Sequence, residues 1–328
     1  MLPQENVQRK RLIKSAVMTT SRFGSDPYER SLEDLIKSGV VLLDKPSGPT
    51  SHQVSAWVKD ILGIEKAGHG GTLDPRVTGL LPITLGNASN AIRALLIGGK
   101  EYVGVMRLHS DVQRNKIEEI FSEFTGKIYQ TPPVRSAVKR EMRIREIYYL
   151  NFLETEKRLV LFKVGCESGT YIRTLCHDIG DALGIGAHME ELRRTKIGSF
   201  TEDDAVTLHN LKDAFVFWKE DRSEDKLRFA LMPMERILDH LPKMVVKDSA
   251  VDAICHGANL ALPGVAQLDS DITKNDAVAM ITQKGEGIAL GEANLDSKEI
   301  LKRDEGIAIT TKRVLMASGT YPKLWRKR

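Results

Sequence analysis

The stretch GHGGTLDPRVTGLLP, residues 68–82, crowds four glycines, one histidine and one carboxylate into otherwise apolar surroundings. An acid at Asp74, between Leu73 and Pro75, admits three readings: a phosphate cradle, a structural turn, or a single catalytic carboxylate that a large ligand approaches closely. The cradle fits worst. Neither the G-x-x-x-x-G-K-[ST] loop nor the G-x-G-x-x-G turn is present, and a carboxylate would repel phosphate. A metal centre fits no better, because the eight histidines include no pair at i, i+3 or i, i+4, and Cys166, Cys176 and Cys255 form neither a C-x-x-C site nor a disulfide framework. The G-x-S-x-G serine elbow is missing as well. A plain Asp-Pro turn and a hydrolase that pairs Asp74 with a second, distant carboxylate stay open at this level.

The flanking segments say how such a loop would be held. Residues 39–43 form a short apolar run, a buried strand by its pattern, broken at DKPSGPT by two prolines and a glycine. Thr50 or Ser51 can cap the helix that follows. Its face carries Val54, Trp57, Val58, Ile61 and Leu62, and Gly63 ends it. A short apolar segment follows the motif at 80–85, and 102–108 has strand character. In RLVLFKVGC, residues 158–166, Val160, Phe162, Val164 and Cys166 alternate as in a half-buried strand. ESGT then leads into a helix with Ile172, Leu175, Cys176, Ile179 and Leu183 on one face, which puts Tyr171 and Arg173 in its first turn. Beyond Pro242 the texture changes. After a short helix around 250–255, brief β-type runs alternate with glycine, and QKGEG reads as a hairpin connection. A second, small, mainly β domain joined through 239–243 is expected.

With 328 residues, 41% of them hydrophobic, two cores of ordinary size can form. The net charge of +4 permits a polyanionic partner without demanding one. Positive charge concentrates at both ends, in Arg9, Lys10, Arg11 and Lys14 and in Lys323, Arg326, Lys327 and Arg328. Such runs serve either as solvated tails or as binding surfaces. The scattered cysteines point to a reducing compartment, and no run is long and apolar enough to span a bilayer. A cytoplasmic protein with no membrane association is expected, nucleolar if its host is eukaryotic.

Five ordered motifs shift the balance among these readings: DKPSGPTSH at 44–52, GHGGTLDPRVTGLLPITLG at 68–86, KEY at 100–102, GTYIRTLCHDIGDALG at 169–184 and AHMEELRR at 187–194. In order and spacing they resemble the motifs of the TruB and dyskerin family of RNA pseudouridine synthases. HGANL after a short helix is similar to the PUA RNA-binding domain that the family carries. The resemblance runs from about residue 38 to about 322. It implies an α+β fold, a mixed and mostly antiparallel sheet with surrounding helices plus a small β-rich PUA domain. The implied organisation is an extension at 1–38 packing on the PUA domain, a catalytic domain at 39–241, the PUA domain at 242–322 and a basic tail at 323–328.

The implied reaction cleaves the bond from a uridine's ribose to N1, turns the base and rejoins it through C5. It requires no cofactor and no metal. Asp74 corresponds to the family's essential aspartate, acting as nucleophile or as base toward the sugar. A carboxylate kept charged in a dry pocket needs a cation nearby, and the resemblance names Arg173, whose planar fork can hold Asp74 by two hydrogen bonds. Read without the family, Arg173 is a solvent-facing helix residue. Tyr102 matches the tyrosine that stacks on the flipped base and is a candidate for taking the C5 proton. His69 matches the histidine that fills the space opened by flipping; otherwise it is a histidine satisfied by loop backbone. Tyr171 and Leu192 match pocket-lining positions, and Lys45 a motif lysine that supports the active-site loop, with core packing the alternative for Leu192 and Lys45. Gly70 and Gly71 would leave room for an RNA strand, and Gly257, Ala258, Lys323 and Arg326 are candidate RNA contacts. Gly70 stands where bacterial tRNA enzymes carry a bulkier residue, which leans toward the guide-dependent branch. The extension and compact ending resemble the archaeal branch, whose members work in an H/ACA ribonucleoprotein. That implies a guide RNA, a target RNA, and glycine-arginine-rich-type, zinc-ribbon-type and kink-turn-binding protein partners. If the extension joins the PUA domain, the two basic termini meet in one RNA-binding surface.

Overall fold

The computed structural model describes residues 1–5, 7–132 and 139–323. A short strand near the start, β1 (Arg11–Ile13), belongs to the second of two sheets. The first sheet is built from β2 (Gly39–Lys45), β3 (Ala67–His69), β4 (Thr78–Leu85), β5 (Lys100–Leu108), β6 (Gly126–Gln130), β7 (Arg143–Glu156), β8 (Leu159–Cys166), β9 (Ala187–Ile197), β10 (Phe200–Thr201) and β11 (Met232–Pro233). Its order is β11-β2-β4-β9-β5-β8-β7-β6, with β3 beside β4 and β10 beside β9. These ladders are antiparallel except β4 with β9. That parallel crossing is the one that matters for the site, because it lays the strand following the Asp74 loop against the strand carrying Leu192.

Residues 39–43 are uninterruptedly apolar because both faces of β2 are covered. Val41 and Leu43 face one core with the helices, whereas Val40 and Leu42 face another that reaches the second sheet. Helix α1 (Leu32–Ser38) precedes this strand, and α2 (Ser51–Leu62) follows it. Thr50 and Gln53 close a reciprocal capping box on α2, and Gly63 ends it in the left-handed conformation. Val54, Val58 and Leu62 are buried, but Trp57, expected on the same face, lies 44% exposed at its rim. Helices α3 (Ile92–Ile97), α4 (Arg114–Glu123), α5 (Ile172–Ala182), α6 (Leu208–Asp221) and α7 (Asp225–Ala230) complete this part. On α5 four of the residues expected to face inward, Ile172, Leu175, Cys176 and Ile179, are buried, whereas Leu183, expected with them, lies just past the helix and is half-buried; Val160, Phe162, Val164 and Cys166 on β8 are buried.

The second sheet comprises β1, β12 (Lys243–Val246), β13 (Leu260–Ala261), β14 (Val265–Asp269), β15 (Ala277–Ile281), β16 (Gly287–Ala293) and β17 (Ile307–Val314), with α8 (Asp248–Cys255) and α9 (Ser297–Lys302). The order is β1-β14-β12-β15-β16-β17-β13. The β15–β16 hairpin turns on Gly285 at φ +93°, inside the QKGEG segment. Met234, Ile237, Leu238, Ala279, Leu290 and Leu315 join the two sheets through one apolar cluster.

The N-terminal segment contacts both sheets. Arg11–Ile13 adds an antiparallel edge to β14. Leu32, Leu35 and Ile36 sit in the first sheet's helical core, and Gln4 Nε2 donates to Gly99 O (3.3 Å) and Gly198 O (3.2 Å).

Candidate active site

The Asp74 loop is pinned on both sides of the carboxylate. Ser51 Oγ accepts from Leu73 N at 2.9 Å and donates to Leu73 O at 3.1 Å, so the first helical residue of α2 clasps the residue before Asp74. Leu73 itself is buried. On the other side, Lys45 ends β2 with a fully buried ammonium that donates to Pro75 O (2.9 Å) and Pro46 O (2.8 Å). Burial lowers its pKa. Gly48 N also donates to Pro75 O, at 2.9 Å. Asp74 projects from between these anchors.

Arg173 reaches it from the first turn of α5, with Nη2 donating to Asp74 Oδ2. The pair differs from expectation in two respects. One nitrogen engages one oxygen rather than two in parallel, and the site is not dry: the Asp74 side chain is 52% exposed and that of Arg173 51%. Solvent therefore reaches both members of the pair. Tyr171 is the residue preceding α5 rather than a member of its first turn. Its main chain is gripped by buried Gln130, whose Oε1 accepts from Tyr171 N at 3.0 Å and whose Nε2 donates to Tyr171 O at 3.1 Å. This grip sets where α5 begins and hence where Arg173 points.

Behind the loop, Tyr102 on β5 and Leu192 on β9 are buried in the main core. Leu192 also lines a cleft of about 520 Å³ with Ser47, Arg76, Thr78, Gly104 and Arg193. Burial raises the pKa of the Tyr102 phenol, and the Arg194 guanidinium opposes that rise. Arg194 is 1% exposed and donates from Nε to Leu80 O (2.8 Å) and from Nη2 to Gly71 O (3.0 Å). His69 stands edge-on to His52, ring centroids 4.8 Å apart at 71°. Its Nδ1 is buried without a hydrogen-bond partner. Burial, then His52 and Arg194, lower its pKa.

The glycines have a physical reason within the protein itself. A Cβ on Gly70 would collide with Leu95 on α3, and one on Gly71, at φ +82°, would come within 3.3 Å of Arg194 Nη1. Both positions answer to the protein's own interior. Far from Asp74 in sequence, Gly257, Ala258 and Lys323 line a cleft of about 550 Å³ with Ser249, Asp252 and His256. Arg326, Lys327 and Arg328 lie outside the described residues. The expected basic surface is partly used up internally: Arg9 pairs with Asp271 at 2.9 Å, Arg11 with Asp269 at 3.2 Å, and Lys14 donates to Arg303 O.

Sequence reading passed over Gln130 and Arg194 and took Ser51 only as a helix cap. Arg194 lay inside the AHMEELRR motif, and its signal was an arginine in an alternating strand with an apolar residue two positions before it. Among the described residues no three His, Cys, Asp or Glu side chains are grouped as metal ligands, and no helix is long and apolar enough to cross a membrane.

Four family models tile the chain: DKCLD (NUC011) domain over 4–55, TruB family pseudouridylate synthase (N terminal domain) over 59–172, tRNA pseudouridylate synthase B C-terminal domain over 173–239 and PUA domain over 242–315. The probable tRNA pseudouridine synthase B of Methanopyrus kandleri is 56% identical over 317 residues, covering 97% of this chain and 94% of that protein. The corresponding protein of Pyrococcus furiosus is 53% identical over 330 residues, covering 100% and 97%. The crystal structure of a Cbf5-Nop10-Gar1 complex matches with TM-score 0.93 at 52% identity, over 98% of each chain. The structure of an H/ACA RNP bound to a substrate RNA containing 2'-deoxyuridine matches with TM-score 0.91 at 50% identity, over 99% of this chain and 100% of that one. With such identity sustained over nearly its full length, the chain belongs to the TruB family of pseudouridine synthases, an RNA-modifying isomerase with DKCLD and PUA domains.

Proposed function

We propose that this pseudouridine synthase is the catalytic subunit of a guide-RNA-dependent H/ACA ribonucleoprotein, converting selected uridines of rRNA and tRNA, with Asp74 as its essential carboxylate. The observation that carries this reading is the Asp74–Arg173 pair, held from behind by Lys45 and Ser51 yet open to solvent. An everted nucleotide entering from the open side completes the desolvation that the protein leaves unfinished. Eversion costs a few kcal/mol, offset by stacking on Tyr102 and by His69 filling the vacated space. Arg173 keeps Asp74 ionised and aimed as water leaves. Asp74 then acts at the sugar as the N1 bond breaks. The base turns, C5 joins the sugar carbon, and the C5 proton passes to Tyr102. That electron pair forms the C5–C6 double bond while N1 takes up a proton, so the reaction balances as an isomerisation.

Assembly with guide RNA and with proteins like Nop10 and Gar1 is supported by the match to chains solved in those complexes. The name carried by the relatives, probable tRNA pseudouridine synthase B, favours a second reading in which the chain modifies tRNA alone. Reconstitution with guide, partner proteins and target RNA, followed by mass-mapping of pseudouridine, separates the two. Product should appear at the guided uridine, and Asp74→Asn should abolish it while changing guide RNA affinity by less than about twofold, under about 0.4 kcal/mol. Full tRNA modification without guide, unaffected by adding it, would establish the stand-alone enzyme. A complete wild-type particle that makes no pseudouridine would leave only an RNA-binding scaffold.

A further inference from the structure

Arg194 is a buried guanidinium with no carboxylate within ion-pairing distance among the described residues, an arrangement that costs stability and calls for a compensating role. Its neighbour Arg193 shows the ordinary alternative, pairing with Asp44 at 2.9 Å and Glu202 at 2.6 Å. Two of the nitrogens of Arg194 are tied to Leu80 O and Gly71 O. Across the sheet, Arg194 is registered directly opposite Tyr102 on β5, which puts these two buried side chains on the same face, and its charge opposes the rise that burial imposes on the phenol.

We propose that Arg194 is a positioning residue for catalysis, orienting the Tyr102 hydroxyl and supplying the positive charge that lets its oxygen accept the C5 proton. This rests on the proton-accepting role assigned to Tyr102 above. A buried phenol is a poor acceptor because the apolar interior disfavours its anion. A fixed guanidinium facing the oxygen favours that anion, and does so more strongly in the interior than in water. The titratable groups facing Tyr102 are Arg194 from β9 and Cys166 from β8. Cys166, pushed up to about 12 mainly by burial, stays an uncharged thiol near neutrality. Lys100, at the start of Tyr102's own strand, and His69, from the motif loop, interact with Arg194. Burial first, and then Arg194, pull Lys100 down to about 8. At neutral pH Lys100 is still mostly protonated, but its charge acts on Arg194 and not on Tyr102, so the charge set against the phenol is that of Arg194. Its bond to Gly71 O also couples Tyr102 to the loop bearing Asp74, so the two reacting groups share one support.

The test uses the assembled particle with guide and target RNA. Single-turnover pseudouridine formation is followed against pH for wild type, Arg194→Lys, Arg194→Gln and Tyr102→Phe, and tyrosine-ring ¹³C resonances are titrated in parallel. Arg194→Gln, which keeps a donor but loses the charge, should slow the neutral-pH rate by at least roughly tenfold. It should also move both the alkaline-rising limb of the profile and the Tyr102 resonance to higher pH by on the order of one unit. Arg194→Lys should restore part of both shifts. If both variants merely lower thermal stability, with profile and titration as in wild type, Arg194 is structural and the inference fails. Should Arg194→Gln not fold, Arg194→Met, which also removes the buried charge, takes its place, and an unshifted Tyr102 titration in it overturns the inference equally. Full activity in Tyr102→Phe would instead remove the acceptor role on which the proposal stands.

Discussion

At the scale of the residue, the site depends on side chains whose cost in isolation is high. Lys45 places an ammonium where only carbonyl oxygens meet it. Replacing it with Met has opposing consequences. Pro75 O keeps its bond from Gly48 N, so Pro46 O is the acceptor left short, at about 1–3 kcal/mol. Removing a buried cation recovers part of that loss. Lys45→Met should therefore unfold within about 2 kcal/mol of wild type by urea titration. Yet single-turnover pseudouridine formation should fall by roughly tenfold or more, because the Asp74 loop loses its rear anchor and small misplacements are expensive in rate. An unchanged rate would show that Ser51 and Gly48 suffice to hold the loop.

At the scale of the element, α5 and β9 are the parts that cannot move independently. Gly180, near the end of α5, sits where a Cβ would overlap Ala187 N at the start of β9. Helix propensity favours alanine there by about 1 kcal/mol, but main-chain overlap has no flexible tip to yield, and overpacking of this kind costs about 1–3 kcal/mol or more. The steric term wins. Gly180→Ala should lower stability by about 2 kcal/mol in denaturant unfolding and should also slow catalysis, since Arg173 rides on the same helix. A neutral or stabilised variant would mean that the α5–β9 connection can open without cost. The elements themselves came through in sequence wherever caps and periodicity were local: the Thr50–Gln53 box, Gly63, and the alternation of β8. Trp57 fell outside the buried face because that stripe is narrower than the helical repeat suggested.

At the scale of the whole molecule, the two sheets are joined by an apolar cluster, a strap of N-terminal chain and a short linker containing His240. That imidazole is 7% exposed, with Nε2 bonded to Ala94 O at 2.9 Å and Nδ1 unpartnered. Burial pulls its pKa from 6.5 to about 4. The unfolded chain thus binds a proton that the folded chain refuses between those values. Stability is full above about pH 6.5 and declines as pH falls toward about 4, by up to about 3 kcal/mol from this group. His240→Gln, which can still donate to Ala94 O, should flatten that part of the stability–pH curve. An identical acid slope in wild type and variant would place the acid sensitivity elsewhere.

What the sequence determined by itself is whatever short-range chemistry can encode: the strand run of 39–43, the caps of α2, the hairpin at QKGEG, and the motif order from which family and fold follow. Asp74 could be singled out because an acid within a glycine-rich apolar loop is locally anomalous. Tertiary structure decided the rest. Arg173 meets Asp74 across 99 residues, and no periodicity carries such a pairing; it exists because Gln130 and Ser51 fix two separate backbones. Arg194 shows the same limit from inside the sheet. Strand alternation can say that a side chain points inward, but only the crossing of β4, β5 and β9 determines which oxygens a buried cation finds there.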